Sequence, residues 1–365
     1  MMKNIIIGFF FMLLGVGHGC ASSDKNEQHE ENAPDISEFF SEVPFDGTLK
    51  VLSLNTWHHG ESVEGGFDAI VEVILQTEAD VVMLCEIRNT NNVIFSTKIT
   101  KALEEKGAVY HSFNSGKSPI ILSKFPIVSR PAINSTSLTK CIVKLNESIN
   151  VAVYSAHLDY THYACYLPRG YDGITWQKLP APVLDLSAIL AQNKASARDE
   201  AIELFVKDAA KEKEKENLIL LAGDFNEPSH LDWTLETKDL FDHNGMVVPW
   251  HCSKILEAHD YKDAYRIKYP DPALYPGHTW SAYNKDVELS KLVWTPEADD
   301  RDRIDFIYYN DDFRLTLEDI MVVGPSASIV RGQGFQDDTL LDKFLLPKGK
   351  WPSDHKGVLA TFKIE

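Results

Sequence analysis

Eight polar side chains share one setting along this chain: each stands at or beside the end of an apolar run. Asn55 closes the run 49–54, Glu86 closes 80–85, and His157 closes 149–156. Asp224 and Asn226 follow 218–222, Asp305 lies near the start of 303–309, and Asp354 with His355 precedes 357–364. The set is four carboxylates, two carboxamides and two imidazoles. Hard oxygen donors suit Mg²⁺, Mn²⁺ or Ca²⁺, and no thiolate in the set favours a softer metal. Imidazoles titrate near neutral pH and can move protons or face developing negative charge. A cation, an imidazole and a carboxylate are what hydrolysis of a phosphate ester requires: charge neutralised on the phosphoryl oxygens and a water held in line. Taken singly, an Asp at a strand end more often forms a turn and a lone His is usually structural. The weight lies in the recurrence.

The periodicities say which elements position these groups. Residues 49–54 alternate as a strand, and 67–76 carry Ile70, Val71, Ile74 and Leu75 at helical spacing. Residues 80–85 form a near-continuous apolar strand. Strand, helix, strand, with polar residues at the strand ends, is how α/β proteins build sites. A helix is predicted over 92–106, ended by Gly107. Short strands follow at 109–113, 120–122, 127–130, 140–145 and 149–156, antiparallel, with Asn146-Glu147-Ser148 as a hairpin turn. The Tyr-, Pro- and Gly-rich stretch 160–182 reads as a long pocket-shaping loop, and 184–215 as one long helix with a solvated charged end. After the strand at 218–223, residues 228–300 read as irregular, followed by strands at 303–309, 313–323 and 357–364. No internal repeat or interior linker divides the chain, so two halves, each a sheet with helices, fold as one domain.

Asn55 after a strand, Leu84-Cys85-Glu86, Ser155-Ala156-His157-Leu158, Gly223-Asp224-Phe225-Asn226, Arg303-Ile304-Asp305-Phe306 and Ser353-Asp354-His355 together resemble the ordered motifs of the endonuclease/exonuclease/phosphatase superfamily. The resemblance runs from about residue 48 to the end. It implies an α/β (α+β) deoxyribonuclease I-like domain over 47–365, a four-layer sandwich of two mixed β-sheets flanked by helices. It also implies a divalent metal, Mg²⁺ (or Mn²⁺/Ca²⁺), at one edge. Carried over by position, Glu86 binds the metal with Asn55 and Asp354 close around it. His355, paired with Asp305, assists the attacking water or the phosphoryl oxygens. Asp224 orients or deprotonates the water or shares a metal, Asn226 bonds the phosphate, and His157 stabilises the transition state or protonates the leaving oxygen. Cys85 departs from the Gln that many relatives carry before the metal Glu. His58 and His59 follow Asn55 closely, and His278 with Trp280 could line the pocket or simply pack a loop; Arg301 reads as a salt-bridge partner.

The formal charge of −18 over 365 residues argues against a broad electrostatic grip on nucleic acid or anionic lipid. It leaves room for a locally neutralised acidic site. At the N-terminus, Lys3 precedes the apolar run 5–16, too short for a comfortable membrane span but suited to a signal peptide. Gly17-His18-Gly19-Cys20 then resembles a bacterial lipobox, departing from it at Gly17 and His18. The reading is a signal peptide over 1–20, a flexible tether over 21–46, and a monomeric envelope lipoprotein, periplasmic or on the cell surface, anchored through lipid on Cys20. Cys85 and Cys141 read as buried free thiols; Cys165 and Cys252, in loop-like segments, are candidates for a disulfide.

The substrate expected is a small or lipid-linked phosphate ester, cleaved as a phosphatase or phosphodiesterase outside the cytoplasm. Tyr163, Tyr166, Tyr171, Trp176 and Trp250 could stack on a sugar or meet a membrane interface, and Arg169 and Lys178 offer phosphate contacts. Two alternatives stand beside it: an extracellular nuclease degrading DNA or RNA, and an inactive binding lipoprotein on the same scaffold. A nuclease calls for Lys and Arg along a backbone track, and the site loops show no basic cluster.

Overall fold

Residues 44–89, 93–113 and 118–365 are described by a computed structural model. The leader with Cys20 and the tether up to residue 43 lie outside those residues. The first sheet contains β1 (Thr48–Asn55), β2 (Val81–Cys85), β3 (His111–Phe113), β4 (Ile120–Ser123), β11 (Leu315–Val323), β14 (Phe344–Leu345) and β15 (Gly357–Ile364), in the order β14-β11-β15-β1-β2-β4-β3. The second contains β5 (Ile127–Ser129), β6 (Leu138–Lys144), β7 (Asn150–His157), β8 (Leu218–Asp224), β9 (Tyr261–Asp263) and β10 (Asp305–Asn310), in the order β5-β6-β7-β8-β10-β9. Both are mixed: β1 runs parallel to β2 and β7 to β8, while β15 and β10 join antiparallel. A small ribbon pairs β12 (Ser328–Val330) with β13 (Gln333–Phe335).

Strands buried on both faces explain the near-continuous apolar runs. Leu49 and Val51 of β1 join Val151 and Val153 of β7 and Leu218 and Leu220 of β8 in the core between the sheets. Leu52 and Leu54 face outward, under α1 (Gly66–Thr77) and α2 (Phe95–Glu104). Ala152, Tyr154, Ile219 and Leu221 face outward beneath α4 (Arg198–Lys213) and α5 (His251–Ala258). The layers are therefore helix, sheet, sheet, helix. Because side chains alternate with a period of two, each inner row ends on its terminal polar residue: Val51, Ser53, Asn55 on β1, and Leu220, Ala222, Asp224 on β8. The apolar core thus runs directly into the polar cluster.

The hairpin predicted at 146–148 joins β6 to β7, with Asn146 Oδ1 accepting from Ser148 N and Ile149 N. The long helix predicted over 184–215 is two: α3 (Leu186–Lys194), capped by Asp185, and α4. Ser196 Oγ donates to the Asn193 carbonyl at 2.9 Å, and the Asn193 side chain bonds Glu227 and Arg198. These local bonds compete with the helical ladder and break it. The stretch 228–300, expected to be irregular, holds α5, β9 and α6 (Ala264–Lys268). Cys85, Cys141, Cys165 and Cys252 are all buried and free, so the Cys165–Cys252 disulfide does not form. Among the described residues no helix is long and apolar enough to cross a membrane.

Candidate active site at the strand ends

Asp224, at the end of β8 and 1% exposed, is the hub. The next residue but one, Asn226, adopts φ 49°, a left-handed turn that Asn tolerates, and its own N–H comes back to Asp224 Oδ1 at 2.8 Å. Asp224 Oδ2 accepts from Asn55 Nδ2 at 3.0 Å and has the Nε2 atoms of His157 and His355 each 3.9 Å away. Asn226 Nδ2 donates to Leu158 O at 3.1 Å. The turn is possible because Gly223, at φ 147°, brings β8 against β7; a Cβ there would lie 1.8 Å from Ala156 O.

His355 Nδ1 lies 3.0 Å from Asp305 Oδ2. Asp305 begins β10, where Thr279 Oγ1 accepts the N–H groups of both Ile304 and Asp305 at 3.0 Å. Burial opposes charge on the imidazole, but Asp305 and Asp224 outweigh it and raise the His355 pKa to about 10. Burial, in turn, raises the Asp305 carboxyl. With Nδ1–H given to Asp305, the protonated ring turns Nε2–H toward Asp224 and the cavity.

Glu86 follows β2 at φ 56°, with Oε1 accepting from Asn55 Nδ2 at 3.2 Å and Oε2 from His58 N at 3.0 Å. Burial works to raise its pKa, yet the nearby His355 and His157 and these two bonds hold it below the ordinary value. Asn55 spends its Oδ1 on Trp57 N, so in this arrangement it clasps the Glu86 and Asp224 carboxylates through its amide N–H groups. Burial pushes Asp354 up to about 7, Glu86 adding to the rise and His355 opposing it; its Oδ1 is buried without a partner. An orphaned carboxylate oxygen, in a cluster of four carboxylates facing one charged imidazole, fits a bound divalent cation. Asp224, Asp305 and His355 also offer ligand atoms within 4.8 Å of one another.

A cavity of about 500 Å³ opens over this floor, formed by Glu86, His157, Asp224, Asn226, Asp354 and His355. Its walls include Trp57, Tyr160, Trp176, Trp280 and Trp294, with Arg88 at the rim. Sequence reasoning found Trp176 and Trp280 but missed Trp57, Tyr160, Arg88 and Trp294; it placed Thr279 between His278 and Trp280 without assigning its hydroxyl the positioning part it plays here. Trp57, Arg88 and Tyr160 lie two or three residues past Asn55, Glu86 and His157, a signal that could have found them. No local pattern marks Trp294.

Several expected substrate residues, Arg169 and His278 first among them, are not brought to the cavity. Arg169 is buried in an ion pair with Asp302 and donates to the carbonyls of Phe241 and Arg301. Its cation is therefore spent on holding the loops. His278 is buried against Phe241, ring centroids 4.5 Å apart, and its pKa is driven well down by burial and nearby cations. Lys178 pairs with Glu297, Arg301 with Asp299 and Asp337, and Trp250 is fully buried against Trp233. Tyr163 and Tyr166 do line the cavity; Tyr171 does not, and His58 lines it while His59 packs beside Phe95.

A family model described as the endonuclease/exonuclease/phosphatase family matches residues 52–355. A protein of Caenorhabditis elegans, "Uncharacterized protein F14F9.5", is 30% identical over 265 residues, 72% of this chain and 78% of that protein. Among solved structures, truncated Caenorhabditis elegans TDP2 is 16% identical with a TM-score of 0.48, covering 87% of this chain and 97% of that one. The human Nocturnin catalytic domain with bound sulfate anion is 13% identical with a TM-score of 0.49, covering 88% and 97%.

Proposed function

The chain belongs to the endonuclease/exonuclease/phosphatase family, and from that premise we propose that it is a divalent-metal-dependent phosphoester hydrolase exported to the cell envelope. Its substrate would be a phosphate ester of a small or lipid-linked molecule. The observation that carries this reading is the buried His355–Asp305 pair facing Asp224 beside the orphaned Asp354 carboxylate. Glu86 and Asp354 would hold a cation, Mg²⁺ by donor type, which would draw charge off the phosphoryl oxygens and orient the ester. The charged His355 donates from Nε2 to a phosphoryl oxygen, a preorganised donor in a water-poor site. Asp224, fixed by Asn55 and Asn226, orients the attacking water and takes its proton. His157, whose side chain is 23% exposed, is open enough to meet the leaving oxygen. The charge of −18, and Arg88 as the single Lys or Arg that the described residues bring to the cavity wall, weigh against a polynucleotide.

The apolar run at 5–16 and Cys20 support export and a lipid anchor; Cys20→Ser should release the protein from the membrane fraction. The activity is tested on plasmid DNA, RNA, sphingomyelin, inositol phosphates and sugar phosphates, each with Mg²⁺ and with chelator. Release from a small or lipid-linked phosphate in Mg²⁺ alone is expected, and Glu86→Gln should lower it by orders of magnitude with the fold intact. Efficient plasmid cleavage with no release from the smaller esters would replace this reading with the nuclease.

A further inference from the structure

The cavity wall is built in a way that catalysis alone does not need. Trp176 and Trp294 meet edge to face, centroids 4.9 Å apart at 77°, and Tyr160 tilts against Trp176 at 6.3 Å. Tyr160 is 58% and Trp294 39% exposed, so this aromatic corner stays in water and not in a core. Leaving such rings wet forfeits burial, and a patch of this kind marks a binding surface. The corner is also held in advance. Asp172 Oδ1 accepts from Ile174 N and Thr175 N at 3.0 and 2.6 Å, fixing the turn that carries Trp176. Tyr171 OH accepts from Glu297 N at 3.0 Å, and Lys178 pairs with Glu297, tying that loop to the segment bearing Trp294. Rings fixed before binding cost little entropy when a ligand arrives.

The wall's composition limits the ligand. Among the described residues its aliphatic side chains are Ile87 and Ile304 alone, so the apolar surface it offers is chiefly aromatic. Arg88, exposed and with no ion pair among the described residues, is the one Lys or Arg that they contribute to the wall, too little to track a polymer backbone. The volume, about 500 Å³, falls in the roughly 300–1,000 Å³ range of small-molecule sites. Resting on the hydrolase reading above, we propose that Tyr160, Trp176 and Trp294 form a stacking subsite for a single ring, so that the substrate is a phosphate ester of a ring-bearing small molecule. The ring is that of a nucleoside, a sugar or a cyclitol, and Arg88 meets an anionic or hydroxyl group on it from the first sheet.

Calorimetric titration of the full Glu86→Gln protein with Mg²⁺ tests the subsite without turnover. The probes are adenosine monophosphate, glucose 6-phosphate and inositol 1-phosphate, against glycerol 3-phosphate and inorganic phosphate. At least one ring-bearing probe should bind roughly tenfold or more tighter than glycerol 3-phosphate, in line with the worth of one aromatic stack; which one does so names the ring. Adding Trp176→Ala or Trp294→Ala should erase that ratio, and Trp294→Phe, which keeps an aromatic face, should retain most of it. Equal affinity for ring-bearing and acyclic probes, or a ratio unchanged in both alanine variants, overturns the subsite. Wild-type protein that hydrolyses no ester defeats the hydrolase reading instead, and the binding ratio is read independently of it.

Discussion

A buried imidazole ordinarily stays neutral, yet the His355 ring is held charged to about pH 10 because Asp305 at 3.0 Å and Asp224 at 3.9 Å outweigh the burial that opposes it. The duty proposed for it, donation to a phosphoryl oxygen, depends on that charge and on the ring angle Asp305 fixes. Asp305→Asn keeps the shape but removes the larger of the two supporting charges. The expected result is a fall in kcat of about 10³-fold or more. The sign of the pH effect follows: in the proposed role His355 acts when protonated, and without Asp305 its pKa drops, so the alkaline limb of the kcat profile should move to lower pH. A profile that falls in height without moving would assign Asp305 a purely structural part. At this scale the sequence was informative about residue type and silent about exposure. Asp224, His157 and Trp280 face the cavity, whereas Arg169, equally polar on paper, is consumed by Asp302.

The strand ends were legible because a period of two converts sequence position into a face: any polar residue ending an inner row must emerge where the core stops. The close approach of β7 and β8 depends on Gly223, at φ 147° with Ala156 O 1.8 Å from where a Cβ would sit. Gly223→Ala combines an unfavourable backbone region with a clash against backbone, and should cost about 3 kcal/mol or more, measured by urea unfolding. It should also lower activity in whatever protein stays folded, since Asp224 is the next residue. A loss under about 1 kcal/mol would show that the two strands can part without penalty. What the sequence hid at this scale were features too short to repeat their period. The elements β9 and α6 span three and five residues, and the break between α3 and α4 turns on one Ser196 hydroxyl taking a helix carbonyl. Helical periodicity continues across such a break unmarked.

Across the whole molecule, the polar cavity floor comes from both sheets and the aromatic wall from segments over a hundred residues apart, Tyr160 and Trp176 with Trp294. Contacts at that separation leave no local trace, so the two-sheet architecture and the loop carrying Trp176 could be inferred while the meeting of Trp176 with Trp294 could not. Beneath that wall lies a buried charge network whose cost is measurable. Tyr166, which lines the cavity, donates to Asp300 Oδ2 at 3.1 Å; Asp300 is 3% exposed and has Arg169 and Asp299 nearby. Burial lifts the Asp300 pKa from 3.8 to about 6, with Thr295, Arg169 and Tyr166 opposing the rise and Asp299 adding to it. A carboxyl whose pKa is raised by folding binds its proton more tightly in the folded state, so between about pH 6 and 3.8 this group adds stability as pH falls. Above pH 6 the folded protein carries a buried charge that the unfolded chain holds in water. The two-unit difference corresponds to about 3 kcal/mol. Asp300→Asn should therefore be the more stable protein at pH 8, and its advantage should shrink as the pH approaches 4, where wild-type Asp300 is already protonated in the fold. Thermal unfolding of both proteins across that range reads the difference with all other titrating groups cancelled. A gap that stays constant with pH would mean Asp300 does not change its charge on folding.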